Sequence, residues 1–204
     1  VNKDLGFTRA HHVMLSYGFK ISDNMNMKIE PYFQQLYDVP VIADSSYSVL
    51  NRRDFYVENA LVNRGKGRNI GVDITLERYL NKGLYYMVTA SIFDSKYYGG
   101  DRKWRNTLYN RNFIVNVLGG KEWMVGRDRQ NMFSVNFKIT LQGGDRYAPV
   151  DEVATLLDPD REVQYDETKA FSKQFSPMFI TNFSVGYKIN RKKVSHEFSI
   201  KSLN

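Results

Sequence analysis

Hydrophobic and polar residues alternate along most of this chain, the pattern of strands with two unlike faces rather than of helices. From Val13 the odd positions read Val13, Leu15, Tyr17, Phe19 and Ile21, and the even ones His12, Met14, Ser16, Gly18 and Lys20. After a turn at Ser22, Asp23 and Asn24, a second run puts Met25, Met27, Ile29, Pro31 and Phe33 on one face and Asn26, Lys28, Glu30, Tyr32 and Gln34 on the other. Proline cannot donate to a ladder, so an irregularity is expected at Pro31. The third run carries Ile70, Val72, Ile74 and Leu76 and ends at the turn Asn81, Lys82, Gly83; the fourth carries Leu84, Tyr86, Val88, Ala90 and Ile92. Its second face, Tyr85, Met87, Thr89, Ser91 and Phe93, is mixed, and so is the fifth run, Phe113, Val115, Val117. The sixth is clean, with Phe133, Val135, Phe137, Ile139 and Leu141 against Ser134, Asn136, Lys138, Thr140 and Gln142. Phe179 to Ile189 makes the seventh, and Val194, Phe198 and Ile200 begin the eighth. An all-β chain of about eight antiparallel strands is predicted.

The connections alternate too. After runs one, three, five and seven they are short: Ser22 to Asn24, Asn81 to Gly83, Gly126 to Asn131, and Asn190 to Lys193. After two, four and six they are long: about Pro40 to Lys66, Tyr98 to Tyr109, and Gly143 to Pro177. The last far exceeds the roughly 12 to 15 residues at which structureless loops become uncommon in compact domains. A meander with short turns at one end and long loops at the other is the plan of an outer-membrane barrel, with periplasmic turns and extracellular loops. Alternation alone does not say which face meets what. A soluble barrel or sandwich turns its apolar face inward, whereas a membrane barrel turns it to lipid. Several runs hold roughly 9 to 11 residues, the span of a tilted transmembrane strand. Arg78, Lys121 and His196, the charged or titratable exceptions on the apolar faces, lie toward the short-turn ends, where a long cationic side chain can snorkel to a membrane interface or mark the solvent edge of a soluble sheet.

Composition narrows the chemistry. The chain has 204 residues, 29 Lys plus Arg against 22 Asp plus Glu, no Cys and 3 His. Without Cys, disulfide scaffolds, thiolate zinc sites and cysteine nucleophiles are excluded, and three His leave little for the usual metal chemistry. No stretch approaches the roughly 18 consecutive apolar residues of a membrane-spanning helix. The aromatic content, 14 Tyr, 13 Phe and 2 Trp, suits a barrel whose interfacial girdles are aromatic. The chain opens on Val1, Asn2, Lys3, Asp4 without a secretory leader pattern, and Val194 to Asn204 stops inside an alternating run. Both ends read as cuts.

Four segments add a resemblance: EPYFQQLYDVPV (Glu30 to Val41), LVNRGKGRNIGVDITLERYL (Leu61 to Leu80), SIFDSKYYGGDRKWRNTLYNRNFIVNVLGGKEW (Ser91 to Trp123) and LQGGDRYAPVD (Leu141 to Asp151). They resemble the barrel of TonB-dependent receptors of the Bacteroidetes type, and the likeness covers essentially residues 1–204, as the later part of such a barrel. It implies an antiparallel up-and-down transmembrane β-barrel fragment in the cell outer membrane, with the N-terminal plug and the last barrel strands absent. The implied function is a share in TonB-dependent active transport for nutrient uptake, forming barrel wall and extracellular substrate-capturing loops. Implied partners are outer-membrane lipid, the plug domain and remaining barrel strands of the full-length receptor, and the periplasmic TonB energy-coupling protein through the missing N-terminal part. A small nutrient or metal-chelate substrate follows as well, its identity left open, as is a surface lipoprotein partner. The wall residues Glu30, Asp73, Glu77, Asn116, Asn136 and Lys138 then face plug and water.

Individual constellations carry less. Arg64-Gly65-Lys66-Gly67-Arg68-Asn69 lacks the spacing and following helix of a phosphate-binding loop, and reads instead as a loop descending into a strand with glycines at a bulge or bend. His11 and His12 are neighbours on a strand and point to opposite faces. The longest loop holds Asp145, Asp151, Glu152, Asp158, Asp160, Glu162, Asp166 and Glu167 without EF-hand spacing, so a solvated acidic loop outweighs a calcium site. Phe55, Tyr56, Tyr97, Tyr98, Trp104, Tyr109, Tyr147 and Tyr165 are loop aromatics for ligand stacking, for a rim girdle or for loop packing. The short turns are basic, with Lys82, Arg127, Arg129, Arg191, Lys192 and Lys193. No catalytic residue, cofactor or metal ligand is assigned, no enzyme activity is expected, and no nucleic-acid motif is present. The competing reading is a soluble antiparallel β-barrel or sandwich that binds an anionic ligand through basic and aromatic loop residues such as Arg102, Lys103, Trp104 and Arg105.

Overall fold

Alternate side chains become two sheet faces once each run finds a partner. A computed structural model describes residues 2–51 and 57–204. Its elements are β1 (Arg9–Met14), β2 (Tyr17–Ser22), β3 (Met25–Val41), β4 (Val62–Asn81), β5 (Leu84–Tyr98), β6 (Trp104–Asn106), β7 (Phe113–Val125), β8 (Asn131–Gln142), β9 (Arg146–Tyr147), α1 (Glu152–Leu157), β10 (Lys173–Gln174), β11 (Met178–Asn190) and β12 (Ser195–Leu203). One antiparallel sheet runs β1-β3-β4-β5-β7-β8-β11-β12, with β2 beside β3 and β6 beside β5. Each long strand pairs with the next in sequence, so the chain is an all-β up-and-down meander of eight runs, and β12 and the β1/β2 run form its edges.

The first run is one strand with a gap. β1 and β2 hold a common register on β3, Met14 facing Tyr32 and Tyr17 facing Ile29. Between them the Leu15 N–H donates to the Pro31 carbonyl at 3.1 Å, and Pro31 has no N–H to return. The irregularity expected at Pro31 is this missing bond. The third run is longer than hydropathy suggests. It starts at Val62 instead of Ile70, and β3 continues to Val41, so the first long connection shrinks to residues 42–61. Arg64 to Asn69 is therefore strand, with register shifts near Val39 and Gly65. The fifth run also continues past Val117, to Val125. Two of the short connections, β2–β3 and β4–β5, are two-residue turns, and the second shows its turn type. Lys82 and Gly83 both have positive φ, +50° and +76°, the type I′ geometry that matches strand twist.

Apart from β3 with the 3-10 turn at Val49–Asn51, every substantial element contact joins hydrogen-bonded neighbours, so the described residues place no second layer on the sheet. The buried residues gather at its long-loop end: Val39, Val41, Tyr97, Leu108 and Ala170, with Ser48, Arg105, Thr107 and Asn110 among them. Over the rest of the sheet, the greasiest side chains remain open.

Candidate functional site

Two features follow from this arrangement, a band and a crown. The band is the apolar face. Opposite residues share it strand by strand: Val13 with Phe33, Phe33 with Ile70, Val72 with Ile92, Ile92 with Phe113, Val115 with Leu141, and Leu141 with Phe179. Between these upper residues and Ile21, Met25, Leu76, Leu84, Gly119, Phe133 and Ile189 below, no outward position is charged. The upper edge does not follow strand register. Asp94 stands opposite Ile70, so the edge drops to Ile92; after Phe113 on β7 it drops again to Leu141 on β8. A level band crossing tilted strands must step in this way. Among the described residues nothing covers it: Ile70 is 50%, Ile92 57% and Phe183 49% exposed. Arg78, Lys121 and His196 all lie at its lower edge, as expected from sequence. The Lys121 ammonium reaches the Lys82 carbonyl at 2.6 Å and lies 6.0 Å from the Trp123 ring centre.

The opposite face is mostly polar, with Met87, Phe93, Ile114 and Leu118 among its apolar members, and its polar side chains bond across strands. One chain runs His12–Gln34 (2.9 Å), Gln34–Asn69 (2.6 Å), Asn69–Ser95 (2.5 Å) and Ser95–Thr107 (2.9 Å). A second joins Ser91 to Asp73, and a third joins Thr140, Asn116 and Thr89. In a fourth, the Tyr85 hydroxyl crosses β7 to reach Asn136 at 2.7 Å. It passes over Gly120, where any Cβ would collide with the Asn136 carboxamide and the Tyr85 ring. Of the wall residues named from sequence, Asp73, Asn116 and Asn136 take part in these networks, and Glu30 pairs with Lys28 at 2.7 Å.

The crown is built from residues 42–51, 57–61, 99–112 and 143–177. Its anchor is Arg105, 9% exposed, whose two terminal nitrogens bond both Asp101 oxygens at 2.8 and 2.5 Å. That guanidinium holds the Asp101 carboxyl below the usual carboxylate range. Asn110 is fully buried and donates to Asp94 (2.9 Å) and Asn106 (3.0 Å). Arg146 ties the third connection to the second, donating to the Asn110 carbonyl (2.8 Å) and Asn112 (2.7 Å). Asn51 accepts from the Leu108 N–H at 2.8 Å and brings in the first. Gly143 and Gly144 let this close approach happen, since a Cβ at either would enter the backbone of Arg111 or Phe175.

Between the three connections lies an open cleft of about 720 Å³, within the size range of small-molecule sites. Its aromatic wall includes Tyr47, Tyr147, Tyr165, Phe171 and Phe175. Tyr147 and Phe175 are stacked at 4.4 Å, held by the β9–β10 pairing. Its polar wall centres on Arg111, which donates to Asp145 (2.7 Å) and Gln142 (2.9 Å). Rings for stacking beside a few fixed hydrogen-bonding groups suit capture of an organic molecule. No histidine lines the cleft, and among the described residues no group of acidic residues and histidines could hold a metal ion.

The loop aromatics named from sequence divide. Tyr147 and Tyr165 line the cleft, whereas Tyr97 is buried in the crown against Phe171. Tyr98 and Trp104 pack on each other at 5.5 Å on the outer face. Tyr109 is half-exposed, and Phe55 and Tyr56 lie outside the described residues. His11 contacts the Tyr37 ring and His12 bonds Gln34, one on each face as expected. Several carboxylates of the acidic loop are used locally, whereas Asp145 accepts from Arg111 and Glu167 accepts from Ser45. Asp151 caps α1, Asp158 accepts from Asp160, Glu162 and Gln164, and Asp166 pairs with Lys169. Sequence reading passes over Tyr47, Arg111, Phe171 and Phe175, since only the fold brings the three connections together. The sequence matches no family model, no curated protein and no solved structure.

Proposed function

We propose that this chain forms barrel wall and extracellular capture loops of an outer-membrane active transporter of the TonB-dependent kind. The observation that carries the membrane part is the charge-free apolar band, about nine residues tall on most strands, uncovered and stepping across the sheet as a level slab. A soluble protein rarely leaves so large an apolar surface open, and lipid is the solvent that favours it. The polar face then looks into the lumen, where a plug and water satisfy it. The long connections lie outside the cell, and their cleft takes a small nutrient or metal-chelate substrate. The family-level part rests on the likeness of Glu30 to Val41, Leu61 to Leu80, Ser91 to Trp123 and Leu141 to Asp151 to the barrels of such receptors. Of the competing soluble reading, a barrel or a sandwich, the sandwich form requires two packed layers, and the single-layer sheet of the described residues weighs against that form.

The chain has no native Cys, so single cysteines can be read cleanly. A fluorophore on Val72→Cys, Val117→Cys or Ile139→Cys should be quenched by nitroxides on lipid acyl chains, and one on Thr75→Cys or Lys138→Cys should not. Equal quenching on both faces, or a monodisperse β-protein in plain buffer, refutes the membrane reading. Uptake that persists after the energy-coupling protein is removed refutes the transporter reading and leaves the membrane reading intact.

A further inference from the structure

Above the band, the outward face of β4 changes character. Exposure alternates strictly there, with Arg64, Lys66 and Arg68 open and Gly65 and Gly67 buried. The unbroken β4–β5 register places Lys66 and Arg68 on the same face as Ile70 and Val72, opposite Tyr98 and Lys96. Lys66 lies 5.7 Å from the centre of the Tyr98 ring, and Arg68 lies 5.4 Å from that of Trp104. Neighbouring cations have carboxylate partners: Arg9 pairs with Asp38 at 2.6 Å and Lys96 with Asp94 at 3.3 Å. Among the described residues, no carboxylate forms an ion pair with Arg64, Lys66 or Arg68.

We propose that Arg64, Lys66 and Arg68, backed by Tyr98 and Trp104, bind the phosphorylated headgroup of an outer-leaflet lipid whose acyl chains lie on the band below. This inference rests on the membrane reading. Two physical features select the occupant. The cationic column is continuous with the apolar band on one strand, so a single amphiphile touches both, chains below and phosphates above. The surface is also complementary in charge, with three unpaired cations in alternate positions and aromatic rings that hold their stems in place. A free phosphate would use the cations and leave the band beneath them unexplained. A phosphorylated lipid uses both.

The test uses the chain in phosphatidylcholine vesicles doped with a diphosphorylated glycolipid, its dephosphorylated form, or phosphatidylglycerol. Retained lipid is measured by mass spectrometry after detergent extraction, and the emission of Trp104 is followed in a Trp123→Phe background. The wild type should retain the diphosphorylated lipid in a salt-sensitive manner. The triple variant R64Q/K66Q/R68Q should lose retention by on the order of ten- to a hundredfold, from the usual gain per cation near an anionic surface. The variant R191Q/K192Q/K193Q, altered at the short-turn end, should keep it. Equal retention of the dephosphorylated lipid, an unchanged triple variant, or pyrophosphate binding the detergent-solubilised chain as tightly as the diphosphorylated lipid would each overturn the proposal. The Val72→Cys quenching readout separates failures: quenching without lipid preference sinks this site alone, and absence of quenching sinks the membrane reading beneath it.

Discussion

Replacing Val88 by Arg tests whether lipid or water covers the apolar face. Val88 is the middle of the five outward residues of β5, from Leu84 to Ile92, and stands between Leu76 on β4 and Val117 on β7. If lipid covers this face, the guanidinium sits near the bilayer centre, and the cost is roughly 2 to 4 kcal/mol. That lowers the folded-to-unfolded ratio by roughly 30- to 1000-fold. Four residues along the same face, Ile92→Arg reaches the upper edge of the band and should cost only about 0 to 1 kcal/mol. Thr89→Lys turns the charge to the polar face, where the loss is the long 3.4 Å contact with Asn116, worth about 1 kcal/mol or less. The assay is urea-driven folding into phosphatidylcholine vesicles, followed by tryptophan emission and by heat-sensitive gel mobility. The expected order of destabilisation is Val88→Arg, then Ile92→Arg, with Thr89→Lys no worse than the second. If water covers this face instead, all three should fall within about 0.5 kcal/mol of wild type. Equal costs at Val88 and Thr89 would refute the facing argument, as would improved yield of folded Val88→Arg in plain buffer.

Other outcomes follow from single contacts. Gly120→Val should destabilise by about 1 to 3 kcal/mol through overpacking, because its side chain enters the path of Tyr85; pairing it with Tyr85→Ala should recover part of that loss in a double-mutant cycle. Gly83→Val places a β-branched residue at φ +76° and should cost about 1 to 2 kcal/mol, read as a shift in the urea midpoint. The Asp101 carboxyl is depressed by its hydrogen bonds from Arg105, so its contribution is fully present above the unfolded value of about 3.9 and is lost as pH falls through the lower folded value. Amide exchange in residues 104–110 should therefore speed up in acid below that range, and Asp101→Asn should remove the pH step. Arg111→Gln takes the shared donor from Asp145 and Gln142, and limited proteolysis between residues 143 and 177 should accelerate while strand content holds.

The strands were legible wherever hydropathy alternated, and the failures are informative. From Arg64 to Asn69 the alternation persists as size, with long cations outward and glycine inward, so a hydropathy reading ends the strand at Ile70, whereas the backbone pairs to Val62. The glycines there do not form a phosphate cradle. They make room for Val39, Val41, Leu36 and Leu50, whose side chains occupy the space a Cβ would need. Pro31 worked in the other direction, since a missing donor is a local fact and its effect on the ladder is readable without a fold. The crown was not readable. Tyr47, Arg111 and Phe175 meet only because β3, β5, β7, β8 and β11 end on the same side of one sheet.

That difference bears on where specificity can reside. Apart from glycines such as Gly120, where a Cβ would collide with Asn136 and Tyr85, the band and the polar ladders depend on residue class: any apolar residue outward and any satisfied hydrogen-bonding group inward preserves them, so substitutions within class should be tolerated along β3 to β11. The crown depends on identity. Arg105 requires both oxygens of Asp101, Asn110 uses its carboxamide twice, and Gly143 and Gly144 admit no side chain. Changes such as Tyr147→Ala or Phe175→Ala remove one ring of a stacked pair worth about 0.5 to 1.5 kcal/mol beyond its buried area and touch no strand of the main sheet. They should leave insertion and heat-sensitive mobility unchanged while altering what the cleft retains. If instead they abolish folding, the crown is part of the structural core of the sheet, and the cleft loses its standing as a site separable from the wall.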